Sequence, residues 1–150
     1  LVVLAACGAL GLAMQQPWLF PSLGPTVMLF FESPRVASAR PLNSLVGHGI
    51  GLLTGIGLVL ALGLQHLPAA TVGGLTLEHI IAGALSVAVT SLLLEALGLQ
   101  HPPAGATTLI VSLGILTQPQ EWATMAAAVV LTTALGWGLN ALRGMRPPSD

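Results

Sequence analysis

The stretch Asn43–Leu64, NSLVGHGIGLLTGIGLVLALGL, decides the fold: it runs for 22 residues with His48 as its one ionisable side chain. A bilayer core of roughly 30 Å takes about 20 helical residues at about 1.5 Å rise each, so this run is long enough to span. Working outward, Glu78–Leu99 and Trp122–Leu142 pass the same test. The opening stretch Leu1–Met14 is apolar but too short to cross and carries no initiator methionine, so it reads as the surviving part of a longer helix. None of these runs alternates polar and apolar residues in segments of about ten, as a membrane barrel would. The expected class is therefore all-α membrane, a helical bundle.

Composition agrees. Hydrophobic residues make up 54% of the chain and charged residues 6%, with a mean hydropathy of +0.89, whereas a soluble domain carries roughly a quarter charged residues. The net charge of −1 and the lack of any Lys leave no basic surface for nucleic acid. Cys7 is the lone cysteine, which excludes an internal disulfide and a cysteine-based metal site. Leu4-Ala5-Ala6-Cys7 has the form of a lipoprotein cleavage box, but no charged segment precedes it. With no charged or Ser-rich linker, residues 1–150 read as one domain.

A shift of 81 positions lays Gly24-Pro25-Thr26 on Gly105-Ala106-Thr107 and divides the domain into two repeats of one plan, about 1–66 and 77–146. Each has an apolar helix, a proline-rich lead-in, a short apolar run (Thr26–Phe31, Thr107–Leu116) and a second long helix. Pro21 and Pro25, like Pro102 and Pro103, are expected to hold extended backbone ahead of broken half-helices. Interrupted elements at corresponding places in two halves point to a transporter's binding site near the membrane midplane.

The four arginines test the path of the short elements. If each short element crosses, the chain crosses six times and Arg35, Arg40, Arg143 and Arg146 fall on one side. If each turns back, the pairs face each other across the bilayer. The positive-inside rule favours six crossings, inverted repeats and cytoplasmic termini. The absence of a visible transit peptide points to a bacterial inner membrane.

The stretch His101-Pro102-Pro103-Ala104-Gly105-Ala106-Thr107-Thr108 resembles the signature of the HPP family of integral membrane proteins. Phe20-Pro21-Ser22-Leu23-Gly24-Pro25-Thr26 and Arg40-Pro41-Leu42-Asn43, leading into Gly47-His48, are similar to that family too, over nearly the whole chain and with a shortened first helix. Family members in chloroplasts and cyanobacteria are linked to nitrite transport. The resemblance thus implies a transporter or channel for a small anion, nitrite favoured.

Elementary chemistry supplies a mechanism for that implication. The first turn of a helix leaves N–H groups unpaired at a positive dipole end, so two half-helix starts would offer an anion two donor clusters. Thr26, Thr107 and Thr108 stand there with hydroxyls, and Gly24 and Gly105 would let backbone approach a ligand. The bland alternative makes the threonines N-caps and the Gly and Pro residues packing devices. His101 is able to take up a proton near neutral pH, and its alternative is an interfacial histidine bonded to water or backbone. His48 and Glu95 lie inside long helices, where an ionisable group marks a pathway or proton-linked site, and a Glu95–His101 pair is expected. Glu78 and His79 are expected to face the interface, and Glu32 to pair with Arg35.

Gly47, Gly51 and Gly55 recur every four residues on one helix face and read as a packing or homo-oligomer face. No nucleophile motif, phosphate-binding loop or His pair at metal spacing occurs, so neither an enzyme nor a cofactor is expected. The rival readings are a transporter of a weak acid or cation on the same architecture, and a membrane scaffold or sensor.

Overall fold

The computed structural model describes residues 1–148, and every regular element among them is helical. The helices are α1 (Val2–Met14), α2 (Leu23–Glu32), α3 (Pro41–Ala61), the single turn α4 (Ala70–Gly73), α5 (Leu77–Ala96), α6 (Ala104–Ser112) and α7 (Pro119–Leu142). Of these, α3, α5 and α7 are long and apolar enough to cross a membrane, while α1 and α2 are apolar but shorter.

Local chemistry sets these boundaries. Pro41 and Pro119 open α3 and α7 at a position where no helical N–H is needed. At the start of α7 the Glu121 carboxylate accepts from the Thr117 and Gln118 N–H groups, at 2.8 and 2.9 Å. The helix of the Asn43–Leu64 run ends at Ala61 rather than Leu64, because Gly63 turns left-handed (φ 67°) and directs Leu64–His66 into a 3-10 turn.

Both half-helices begin three residues before the expected threonines, at Leu23 and Ala104. Pro25 is tolerated inside the first turn of α2, where its missing N–H costs no helical bond. The extended backbone expected at the prolines is also corrected: Ser22 and Pro103, the N-caps, both have helical φ and ψ, and Pro102–Pro103 form a turn.

Helix α5 turns its small and polar residues inward and its large apolar ones outward. On α5 the buried residues include His79, Ala82, Gly83, Ser86 and Thr90, whereas Leu77, Ile80, Leu85 and Leu92 are exposed. That distribution suits lipid, which offers apolar side chains no gain from burial and leaves close packing and hydrogen bonds to hold helices together.

Helix α3 packs against α5 and α6, and α7 packs against α1, α2 and α3. The glycine stripe makes the first of these contacts possible. A Cβ at Gly47 would stand 2.8 Å from the His101 Cβ, one at Gly51 2.6 Å from the Thr108 Oγ1, and one at Gly55 2.8 Å from the Val111 Cβ. The stripe is thus a packing face filled by α6 and its lead-in. Of the two expected roles, packing or homo-oligomer face, the structure shows packing, within one chain.

The turn after α2 and the end of α7 meet at one end of the bundle. Trp137 Nε1–H donates to the Ala39 carbonyl at 2.9 Å and Asn140 Nδ2 to the Phe30 carbonyl at 2.8 Å. Arg143 lies 5.8 Å over the Phe31 ring and donates to Asn140 Oδ1 at 3.2 Å. Arg143 is therefore placed beside the segment that carries Arg35 and Arg40.

Candidate functional site

The close approach of α3 to α6 brings four of the singled-out side chains together. His48 is buried two turns into α3, and both of its ring nitrogens are engaged: Nε2 lies 2.8 Å from Thr26 Oγ1 on α2, and Nδ1 lies 2.7 Å from Thr107 Oγ1 on α6. A neutral imidazole has one N–H and one lone pair, so one threonine donates to His48 while the other accepts.

His101 completes the cluster from the α5–α6 connection. Its Nδ1–H donates to the Ser38 carbonyl at 2.8 Å, its Nε2 is 3.4 Å from Thr26 Oγ1, and its ring centroid is 5.0 Å from that of His48. Because a carbonyl only accepts, the Ser38 contact fixes the proton on Nδ1 and leaves Nε2 to face Thr26. Thr26 also donates to the Ser22 carbonyl one turn earlier, at 3.0 Å. Its hydroxyl, with one proton to give and lone pairs to accept, meets three partners.

Thr108 sits one residue along and belongs to a second row. It donates to the Ala104 carbonyl at 3.0 Å and contacts Thr90 at 3.2 Å, and Thr90 contacts Thr54 at 2.6 Å. None of the three singled-out threonines caps a helix: the N-caps make no side-chain cap bond, and Thr26 and Thr108 bond backward into their own helices.

The expected ring of free N–H donors at the start of α6 is corrected. The N–H groups of Ala104, Gly105 and Ala106 donate to the carbonyls of His101, Pro102 and Pro103 at 2.9, 3.1 and 3.1 Å, so tight turns use them internally. Gly24 and Gly105 have open space where a Cβ would stand, so packing within the chain does not require them to be glycine.

Three grooves reach this region. One of about 500 Å³ is lined by Thr90, Glu95, Gln100, His101, Pro102 and Gly105. A second, of about 550 Å³, lies on the other lining of the proline turn, with Glu32, Ser33, Pro25, Pro102 and Pro103. The third, of about 250 Å³ between α3 and α7, has His48 on its wall among Leu45, Met125 and Val129.

Glu95 is exposed on the first groove, and the His101 nitrogens go to Ser38 and Thr26 instead, so the expected Glu95–His101 pair is replaced by those contacts. Glu32 and Arg35 are both exposed, and no ion pair joins them among the described residues. Glu78 does face outward, whereas His79 is buried and closes a capping box with Thr76 at the start of α5. Sequence reasoning missed Ser38, whose contribution is a carbonyl and carries no side-chain signal. It also missed Thr54 and Thr90, which their spacing from small residues, three from Gly51 and four from Ser86, would have placed on inner faces.

A model of the HPP transmembrane region matches residues 1–147. The chain belongs to the HPP transmembrane family. No curated protein and no solved structure matches it. Family membership and the three spanning-length helices together make this HPP protein an integral membrane protein, in contact with the lipid bilayer.

Proposed function

We propose that this HPP protein moves a small anion, nitrite favoured, across a membrane in a proton-linked manner, and that it is not an enzyme. The observation that carries this reading is His48, an ionisable side chain buried in a spanning helix and held by hydroxyls from two different half-helices. Buried ionisable groups are costly in a bundle core and accompany substrate or proton pathways. The threonine hydroxyls and a protonated imidazole would be the anion's donors, since the α6 N–H groups are engaged. The substrate class comes from the family resemblance.

We further infer two inverted repeats with six crossings in a bacterial inner membrane, both termini cytoplasmic. Moving the bounds of α2 forward by 81 gives 104 and 113, against Ala104–Ser112 for α6; moving those of α3 gives 122 and 142, against Pro119–Leu142 for α7. Thr26 and Thr107 correspond at that offset, as do Phe30 with Val111 and Gly55 with Gly136. Phe30 sits against Gly136 and Val111 against Gly55. The side-by-side placement of Arg143 and the α2–α3 turn supports an odd number of crossings per half.

A second reading, transport of a cation or weak acid, is favoured by Glu32 and Glu95 on the two grooves flanking Pro102 and Pro103. Flux into liposomes holding purified protein separates the cases, with nitrite compared against nitrate, formate, chloride and a monovalent cation. Nitrite flux in the wild type that is lost in Thr107→Val and His101→Ala supports the anion reading. Cation flux lost in Glu95→Gln supports the second, and no flux above the empty-liposome leak leaves the scaffold or sensor reading ahead of both.

A further inference from the structure

His101 and His48 line different grooves, one beside α5 and α6 and the other between α3 and α7. The hydrogen-bond path between the two rings runs through a single atom, Thr26 Oγ1, at 3.4 Å from one ring and 2.8 Å from the other. We infer that His101, Thr26 and His48 form a proton relay joining these two grooves. The relay deepens the proton-linked transport reading and rests on it, since a proton path needs a partner arriving at each end.

The donor and acceptor inventory supports this directly. With both rings neutral, His48 Nε2–H donates to Thr26, Thr26 donates to His101 Nε2, and Thr107 donates to His48 Nδ1. With one proton added at Thr107, whose own hydroxyl proton passes to His48 Nδ1 as the His48 Nε2 proton moves to Thr26 and the Thr26 proton to His101 Nε2, the charge rests on His101: its Nε2–H donates to Thr26, Thr26 donates to His48 Nε2, and His48 Nδ1–H donates to Thr107. Transfer then moves the His101 Nε2 proton to Thr26 Oγ1 while the Thr26 hydroxyl proton passes to His48 Nε2. His101 is left neutral and His48 carries the charge, with N–H bonds to Thr26 and Thr107. In all three arrangements every ring nitrogen keeps a partner, because His101 Nδ1–H stays on Ser38 throughout. A buried network that stays satisfied in each charge state avoids the penalty of an orphaned polar group.

The long step is the 3.4 Å contact, so the relay conducts when the His101 ring closes on Thr26 and the hydroxyl leaves the Ser22 carbonyl. The ionisable groups around the path are few. Glu95 from α5 shares the His101 groove, Glu32 from α2 lies on the groove across the proline turn, and Arg40 follows Ser38 by two residues at the start of α3. From α7, the residues beside His48 in its groove are Met125, Ala126, Val129 and Val130, which do not titrate.

The test is proton flux into liposomes containing the full chain and an internal pH-sensitive dye, under an imposed pH gradient, with and without external nitrite, while nitrite uptake is assayed chemically in the same samples. The relay predicts acidification that falls about tenfold or more in Thr26→Val and stays within about threefold in Thr26→Ser, on the scale of a lost proton-transfer group. His101→Gln is the second variant: its amide can still reach Ser38 and Thr26 but cannot carry a proton, and acidification is lost with the fold retained by circular dichroism. Wild-type acidification that persists undiminished in Thr26→Val or in folded His101→Gln overturns the relay, even where nitrite moves. Acidification absent from the wild type under every condition also overturns it, and the nitrite assay then decides separately whether transport stands.

Discussion

Phe30 on α2 lies directly against Gly136 on α7: a Cβ on that glycine would stand 2.7 Å from the Phe30 ring. Gly55 on α3 takes Val111 from α6 in the same way, at 2.8 Å from the Val111 Cβ. Each half-helix is seated on a long helix by a missing side chain, which holds Thr26 and Thr107 at the distance His48 needs.

Gly55→Leu and Gly136→Leu are expected to destabilise the bundle by about 1–3 kcal/mol each through overpacking. Gly57→Leu and Gly138→Leu are the controls, since a Cβ at either meets nothing within 4 Å. Thermal unfolding in detergent followed by circular dichroism checks this, and equal shifts in all four variants would contradict the seating argument.

Removing one partner of the central bridge should weaken the fold only modestly. Hydrogen bonds between membrane helices contribute on average about 0.6 kcal/mol, with an upper range near 1.7. Thr107→Val and His48→Phe are expected to show a coupling of that size in a double-mutant cycle, read from reversible denaturation in mixed micelles. Strict additivity would mean that the 2.7 Å contact is not an energetic link.

Asn140→Leu is expected to cost about 1–3 kcal/mol, because it leaves the buried Phe30 carbonyl without its donor. The same change loosens Arg143, which donates to the Asn140 side chain. Limited proteolysis near residues 33–40 reads this out: faster cleavage in the variant is expected, and an unchanged rate would remove the asparagine from the list of supports for that segment.

Cysteine labelling reports the arrangement of the ends and grooves. In a Cys7→Ser background, Arg35→Cys and Arg143→Cys should react with an impermeant maleimide from the same side of a sealed vesicle. Glu95→Cys should label readily, whereas native Cys7, fully buried 3.4 Å from Thr132 Oγ1, should not. Labelling of the two arginine positions from opposite sides would remove the six-crossing arrangement.

Much of this architecture is legible in the residues. The length of Asn43–Leu64, Glu78–Leu99 and Trp122–Leu142 announces spanning helices, and proline and glycine punctuation locates the short elements between them. Thr26, Thr107, His48 and His101 stand out because polar side chains are scarce in so apolar a chain. What pattern alone does not carry is pairing. The bond from His101 to the Ser38 carbonyl, the three-way sharing of the Thr26 hydroxyl and the burial of His79 depend on which faces meet. The start of α2 lies three residues before Thr26 because a proline inside a first turn breaks no bond, and that of α6 three before Thr107 because the Pro102–Pro103 turn leads straight into the helix. The glycine stripe announced a close contact without saying that α6, in the same chain, supplies the other side.

The imidazole of His48 has a consequence for the molecule as a whole. Two chemically alike hydroxyls approach it from two similar short helices, yet a neutral ring offers one a hydrogen and the other a lone pair. The centre of the bundle therefore has handed wiring even where the surroundings are matched. At any instant the neutral ring points one way, and reversing it requires a proton to arrive or leave.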